Sequence, residues 1–290
     1  MSKIFDSLRK ASGKAPVPSP SSTGQSPEKA APAPGAIAHP TTFSSPELKT
    51  AAKIRVVKAR PIDNLPVLPF DGTHPPSAEQ YRIIRTKIVQ HPLQPRMVAV
   101  SSPGPGDGKT ISALNIAGAL SLKGEVKVLL VQTDLRHSNF CELLQLSDEP
   151  GLVDVLARKS SLEDALMEVE QLPNLFLLGA GSHRPDSSEL LDSPFGRAVF
   201  QALRKRFHYV VLDCPPIGSI ADYDVIQAVA DGLVVVLRPD HTNRSSALKI
   251  LESLPKEKTI GVVMNSVTPW FLWRSTHSAY YYEGSSKKAG

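Results

Sequence analysis

The run Ser101-Ser102-Pro103-Gly104-Pro105-Gly106-Asp107-Gly108-Lys109-Thr110 is the stretch of this chain best suited to holding a polyphosphate. Glycines let the backbone curl until successive N–H groups point inward at phosphate oxygens, and the partial positive charge of a helix N-terminus adds to the attraction. Gly104, Pro105, Gly106, Asp107 and Gly108 would form the cradle. Lys109 would reach the β and γ phosphates, Thr110 would offer its hydroxyl to Mg2+, and Ile111 completes the expected nucleotide-binding run. The strict spacing asks for glycine at position 103, where this chain has Pro103, so the match is a relaxed one.

Two more segments end in groups suited to the same chemistry. Tyr209-Val210-Val211-Leu212-Asp213-Cys214-Pro215-Pro216 is an apolar run closing on a carboxylate, the Walker B arrangement that holds Mg2+. A carboxylate at a strand end also caps neighbouring helices, so the residue type alone leaves both uses open. Val128-Leu129-Leu130-Val131-Gln132-Thr133-Asp134-Leu135-Arg136 closes on an acid and an arginine. Lys109, Asp134, Arg136 and Asp213 are the expected catalytic set, with Thr110, Asp134 and Asp213 holding the metal.

Such residues need a scaffold that brings strand ends to one edge. From about Ser77 onward, apolar runs of strand length alternate with helical segments. The spacing predicts strands at Met97–Ser101, Val126–Val131, Asn174–Leu178, Tyr209–Leu212, Leu233–Leu237 and Ile260–Met264. Helices are expected over Glu79–Gln90, Gly108–Leu122, Ser188–Phe207, Asp222–Ala230 and Thr242–Leu254, with two short ones inside Gly151–Val169. The strands are apolar throughout, which points to an α/β fold with a mostly parallel sheet covered by helices on both faces.

Composition divides the chain. Residues 1–76 hold 13 of the 26 prolines, and their ten Lys/Arg against five Asp/Glu account for the net charge of +5. The other 214 residues carry 23 charges of each sign, so no nucleic-acid partner is expected. The reading is a docking helix over 1–11, with Ile4, Phe5 and Leu8 on one face, or else a frayed terminus; then a Pro/Ala/Ser-rich linker over 12–76, a P-loop domain over 77–267 and a tyrosine-containing tail over 268–290. Cys141 and Cys214 lack metal or disulfide spacing, and no apolar run approaches a membrane span, so a cytoplasmic protein is expected.

Together these motifs resemble the bacterial tyrosine kinases that accompany capsule and exopolysaccharide export. The resemblance covers about Pro76 to Val267: Glu79-x-x-Arg82-x-x-Arg85 is similar to the family's oligomerisation motif, Pro105 to Thr110 to its P-loop, Gln132 to Arg136 to its A′ motif, and Leu212 to Pro216 to its Walker B. Ser188-Glu189-Leu190-Leu191 and Gly261 to Asn265 also look like family segments, the last implying Asn265 near the adenine base. The resemblance implies ATP and Mg2+ as cofactors and a ring of identical subunits joined through Glu79, Arg82 and Arg85. It also implies Tyr280, Tyr281 and Tyr282 as phosphoacceptors in trans. A separate transmembrane polysaccharide co-polymerase would activate the kinase and hold it at the inner face of the plasma membrane. Trp270-Phe271-Leu272-Trp273 beside the tyrosines leaves a membrane or partner contact as the competing use of the tail.

One departure bears on activity. The family reads Asp-x-Asp in its A′ motif where this chain has Gln132 and Asp134, and a neutral amide is no general base. A nucleotide-gated scaffold of the same export machinery is therefore the second expectation. A partition or division-site ATPase of the ParA/MinD type is the third, disfavoured because Ser102-Pro103-Gly104-Pro105 lacks that group's signature lysine.

Overall fold

Runs of Val, Leu and Ile too short for helices and unbroken by polar positions form the central strands, because parallel strands covered on both faces have no solvent side to mark. The structure, a computed structural model, describes residues 54–62, 75–136, 140–218 and 222–267. The expected helix over 1–11 and the tyrosines Tyr280, Tyr281 and Tyr282 lie outside these residues. In chain order the elements are β1 (Arg55–Val57), α1 (Pro75–Val89), β2 (Met97–Ser101), α2 (Lys109–Ser121), β3 (Val128–Gln132), α3 (Phe140–Leu143), α4 (Leu152–Leu156), α5 (Leu162–Ala165), β4 (Met167–Val169), β5 (Leu172–Leu178), α6 (Ser187–Asp192), α7 (Pro194–Arg206), β6 (Tyr209–Asp213), α8 (Asp222–Val229), β7 (Gly232–Leu237), α9 (Arg244–Ser253) and β8 (Thr259–Met264).

The strands form one sheet in the order β1-β4-β5-β3-β6-β2-β7-β8. Neighbours are parallel except β4 and β5. Alternate residues of the inner strands feed two cores. Leu129, Val131, Val210 and Leu212 face Leu152, Phe200, Leu203 and Ile226, whereas Val98, Val100, Leu130 and Val211 face Ile88, Leu114, Ile116 and Phe140. Helix α2 is buried along nearly its whole length, between the sheet and α1, so its sequence shows no polar face: small and apolar residues point to every side, with Ser112, Asn115 and Ser121 buried among them.

The mostly parallel α/β expectation holds, with local differences. The stretch expected as linker contains β1, which pairs with β4, and Ala59, which is buried in the core; three residues are too few for periodicity to mark a strand. Helix α1 starts at Pro75 rather than Glu79, since proline is tolerated in a first helical turn. The single helix expected over Ser188–Phe207 is two, α6 and α7. Ser193 is extended and its hydroxyl accepts the Gly196 N–H at 2.9 Å, while Pro194 opens α7. The short strand β4 runs antiparallel, which the even βα rhythm does not foretell.

Candidate functional site

Strands β3, β6 and β2 are neighbours, so their C-terminal ends share one edge. Register sets Val100 opposite Asp213 and Asp213 opposite Gln132, level across the three strands. Open α/β sheets bind ligands outside such an edge.

The loop from β2 to α2 builds the phosphate cradle. Gly106 (φ 79°) and Gly108 (φ 91°) take left-handed conformations that favour glycine, and a Cβ on Gly108 would collide with the Asn265 amide. Asp107 is buried and ties the loop down: its Oδ2 accepts the Gly104 N–H at 3.1 Å and its Oδ1 accepts the Thr242 hydroxyl at 2.6 Å. Asn265 donates its Nδ2–H to the Asp107 carbonyl at 2.9 Å. It thus sits against the cradle, with its amide nitrogen engaged there. Arg238 donates to the Gly106 carbonyl at 3.3 Å, and His241 Nε2 lies 3.0 Å from the Pro105 carbonyl.

Arg238, His241 and Thr242 were invisible to motif reasoning. They follow β7 by a few residues, and the one local sign is a polar stretch directly after an apolar strand.

Lys109 and Asp134 are brought together: Nζ lies 3.0 Å from Oδ2, with both side chains buried. Thr110 is buried next to Lys109 at the start of α2. The main-chain carbonyl of Asp213 accepts the Thr133 N–H at 2.9 Å, the Asp134 N–H at 3.1 Å and the Thr133 hydroxyl at 2.8 Å. The ends of β3 and β6 are therefore fastened to each other. The Asp213 carboxyl is wholly buried, and that desolvation pushes its pKa up to about 7. Lys109 and, less strongly, the Thr110 hydroxyl oppose the rise, Asp134 adds to it, and Gln132 opposes it slightly. Thr110 and Gln132 are close enough to exert this pull, yet neither carboxylate oxygen accepts a hydrogen bond of full geometry. An ionised carboxylate so placed, with Asp134 and a threonine hydroxyl nearby, fits a divalent cation by charge and by its hard oxygen donors.

Arg136 reaches the same edge from the β3 side, half-exposed. Its Nη2 donates to the Ser188 hydroxyl at 3.1 Å and its Nε stands 3.8 Å from the buried carboxylate of Asp222. The other motif residues sit on α1. Glu79 and Arg82 form an exposed 2.8 Å pair, and Arg85 donates to the Ala119 carbonyl of α2 at 3.4 Å. Cys141 and Cys214 are buried thiols outside any disulfide, and burial raises both, Cys214 to about 12, so neither is a nucleophile at neutral pH.

Comparison with known proteins agrees with this geometry. Residues 95–259 match a family model described as an AAA domain. The tyrosine-protein kinase YwqD of Bacillus subtilis (strain 168) is 35% identical over 213 residues, spanning 72% of this chain and 87% of that protein. The chain belongs to the bacterial tyrosine-protein kinases.

Among solved structures, the BceF tyrosine kinase domain overlays with a TM-score of 0.57 at 29% identity, covering 65% of this kinase and 76% of that chain. The succinoglycan biosynthesis transport protein ExoP of Rhizobium meliloti (strain 1021) is 32% identical over 175 residues, 59% of this kinase and 22% of ExoP. YwqD and BceF are named as kinases, which supports an enzyme rather than a nucleotide-gated scaffold. Among the described residues no helix of this kinase is long and apolar enough to cross a membrane.

Proposed function

We propose that this bacterial tyrosine kinase transfers the γ-phosphoryl group of Mg2+-bound ATP to its own tail tyrosines, Tyr280, Tyr281 and Tyr282, across a subunit boundary. The observation that carries the reading is the buried Lys109–Asp134 pair beside the orphaned carboxylate of Asp213, at the foot of the glycine cradle.

When nucleotide enters, the cradle N–H groups receive the phosphates and the Lys109 ammonium turns from Asp134 to the β and γ phosphate oxygens. Asp213, Thr110 and Asp134 would hold Mg2+, which supplies neutralisation of the phosphate charge. Gln132 cannot accept the phenolic proton, which leaves the carboxylates of Asp134 and Asp213, both buried before nucleotide enters. Of the two, Asp134 is the one whose Lys109 partner leaves on nucleotide binding; one of its oxygens would stay on Mg2+ and the other, freed of Lys109, takes the proton. The phenolic oxygen bonds to the γ phosphorus as the bond to the β,γ-bridging oxygen breaks, and ADP departs. Arg136 adds positive charge at the open side of the edge.

Kinship with ExoP, named for succinoglycan biosynthesis transport, supports a role in regulating exopolysaccharide or capsule polymerisation and export. Assembly into a ring would run through Glu79, Arg82 and Arg85 on α1, and a transmembrane co-polymerase would activate the kinase and recruit it to the inner face of the plasma membrane.

Intact-mass and phosphotyrosine mapping of the full chain with Mg2+-ATP tests the reading, beside a Lys109→Met control. Phosphate on Tyr280–Tyr282 that disappears in the control is expected. ATP binding without phosphotyrosine, even with an activator peptide, would overturn it.

A further inference from the structure

Gln132 ends β3 on the sheet face covered by α2, level with Asp213 on β6, and is wholly buried. Its Nε2–H donates to the main-chain carbonyl of Asp134 at 3.1 Å, and its Oε1 accepts the main-chain N–H of Phe140 at 3.3 Å. Among side chains of this length, a primary amide both donates at one terminal atom and accepts at the other; an ionised carboxylate only accepts. One side chain therefore joins both ends of the segment 134–140, which carries Asp134 and Arg136. Phe140 is itself fixed, with its ring fully buried in the core beneath α2.

We propose that Gln132 is a positioning residue: its amide clamps residue 134 to residue 140, so that the Asp134 carboxylate is presented to Lys109 and Arg136 is kept at the edge of the site. The proposal deepens the kinase reading and rests on it. A carboxylate at position 132 would repel the Asp134 carbonyl to which the amide donates. It would also add a third negative charge to a pocket that already holds Asp134 and Asp213, directly level with Asp213. Neutrality at position 132 thus belongs to the site's design, and the roles that need a carboxylate fall to Asp134 and Asp213.

Three variants of the full chain separate this clamp from a merely lost ligand. Gln132→Met keeps the volume and removes both polar groups, Gln132→Glu keeps the acceptor and loses the donor, and Gln132→Asp adds charge on a shorter stem. Three quantities are read for each: hydrogen exchange of the Phe140 amide, affinity for a fluorescent ADP analogue with Mg2+, and kcat and KM for ATP in autophosphorylation. In Gln132→Met the Phe140 amide should lose protection. In all three variants kcat should fall by about 10- to 100-fold, the range typical when a group supporting a site residue is removed, with the KM for ATP nearly unchanged because the cradle is intact. A Gln132→Asp protein faster than wild type would overturn the proposal, as would a Gln132→Met protein that keeps both the protected amide and wild-type kcat. If the wild type makes no phosphotyrosine the kinase reading fails, and the clamp then stands or falls on the Phe140 amide of folded Gln132→Met.

Discussion

Burial of the Asp213 carboxyl outweighs its cationic neighbour, and the consequence can be measured in the metal-free protein. Its folded pKa of about 7 lies above the ordinary carboxyl value, so the folded chain holds this proton more tightly than the unfolded chain does. The favourable contribution is full below the unfolded value, near pH 4, and is lost as pH rises through about 7. Asp213→Asn should flatten that slope and raise metal-free stability at pH 8 by on the order of 1–4 kcal/mol, read by urea melts at pH 5 and pH 8. Added Mg2+ should stabilise wild type at pH 8 and leave the variant unmoved. The two strand-end acids were legible from the sequence because each closes an apolar run. Their unequal surroundings were not: Asp134 meets Lys109 at 3.0 Å, whereas Asp213 is left with orphaned oxygens.

At the scale of elements, the break between α6 and α7 shows local chemistry deciding a boundary. The apolar periodicity of residues 188–207 continues across it, yet Ser193 and Pro194 stop one helix and start the next. The Ser193 hydroxyl satisfies the Gly196 N–H, which otherwise lacks an intrahelical partner. Ser193→Ala should cost about 1 kcal/mol of stability, the usual worth of such a cap. Thermal unfolding checks the cost. Affinity for Mg2+-nucleotide should stay at the wild-type level, since α7 contributes nothing to the cradle. The cradle itself is held by elements far along the chain, through Arg238, His241 and Thr242 after β7 and Asn265 after β8. No periodicity could announce those contacts, because each joins residues more than 130 positions apart.

For the whole molecule, the sheet extends further toward the N-terminus than composition suggests. β1 adds an edge strand beside β4; Arg60 and Ile62 donate their N–H groups to the carbonyls of Leu144 and Leu143, and Gln171 bonds both main-chain groups of Ala59. A chain beginning at residue 71 should therefore unfold at lower temperature than one beginning at residue 54, by about 2–4 °C for each kcal/mol lost. Scanning calorimetry of the two truncations measures the difference. Both should bind Mg2+-ADP, because β4, β5, β3 and β6 separate β1 from the cradle strand β2. Equal melting temperatures would show that β1 contributes nothing to the fold.

By itself the sequence determined the alternation of strands and helices, the glycine cradle with its lysine, and the acids at two strand ends. Each is a local pattern: buried parallel strands must be apolar throughout, left-handed turns favour glycine, and a strand end is where a polar residue can meet solvent or ligand. Tertiary structure alone decided the strand order that sets β3, β6 and β2 side by side, the antiparallel insertion of β4 and the docking of β1. It also decided the use of Gln132, which the sequence marks as a missing carboxylate and the fold reveals as bonded at both ends to the main chain. Those outcomes depend on partners distant in sequence or on main-chain groups brought round by a turn, and residue spacing carries no record of either.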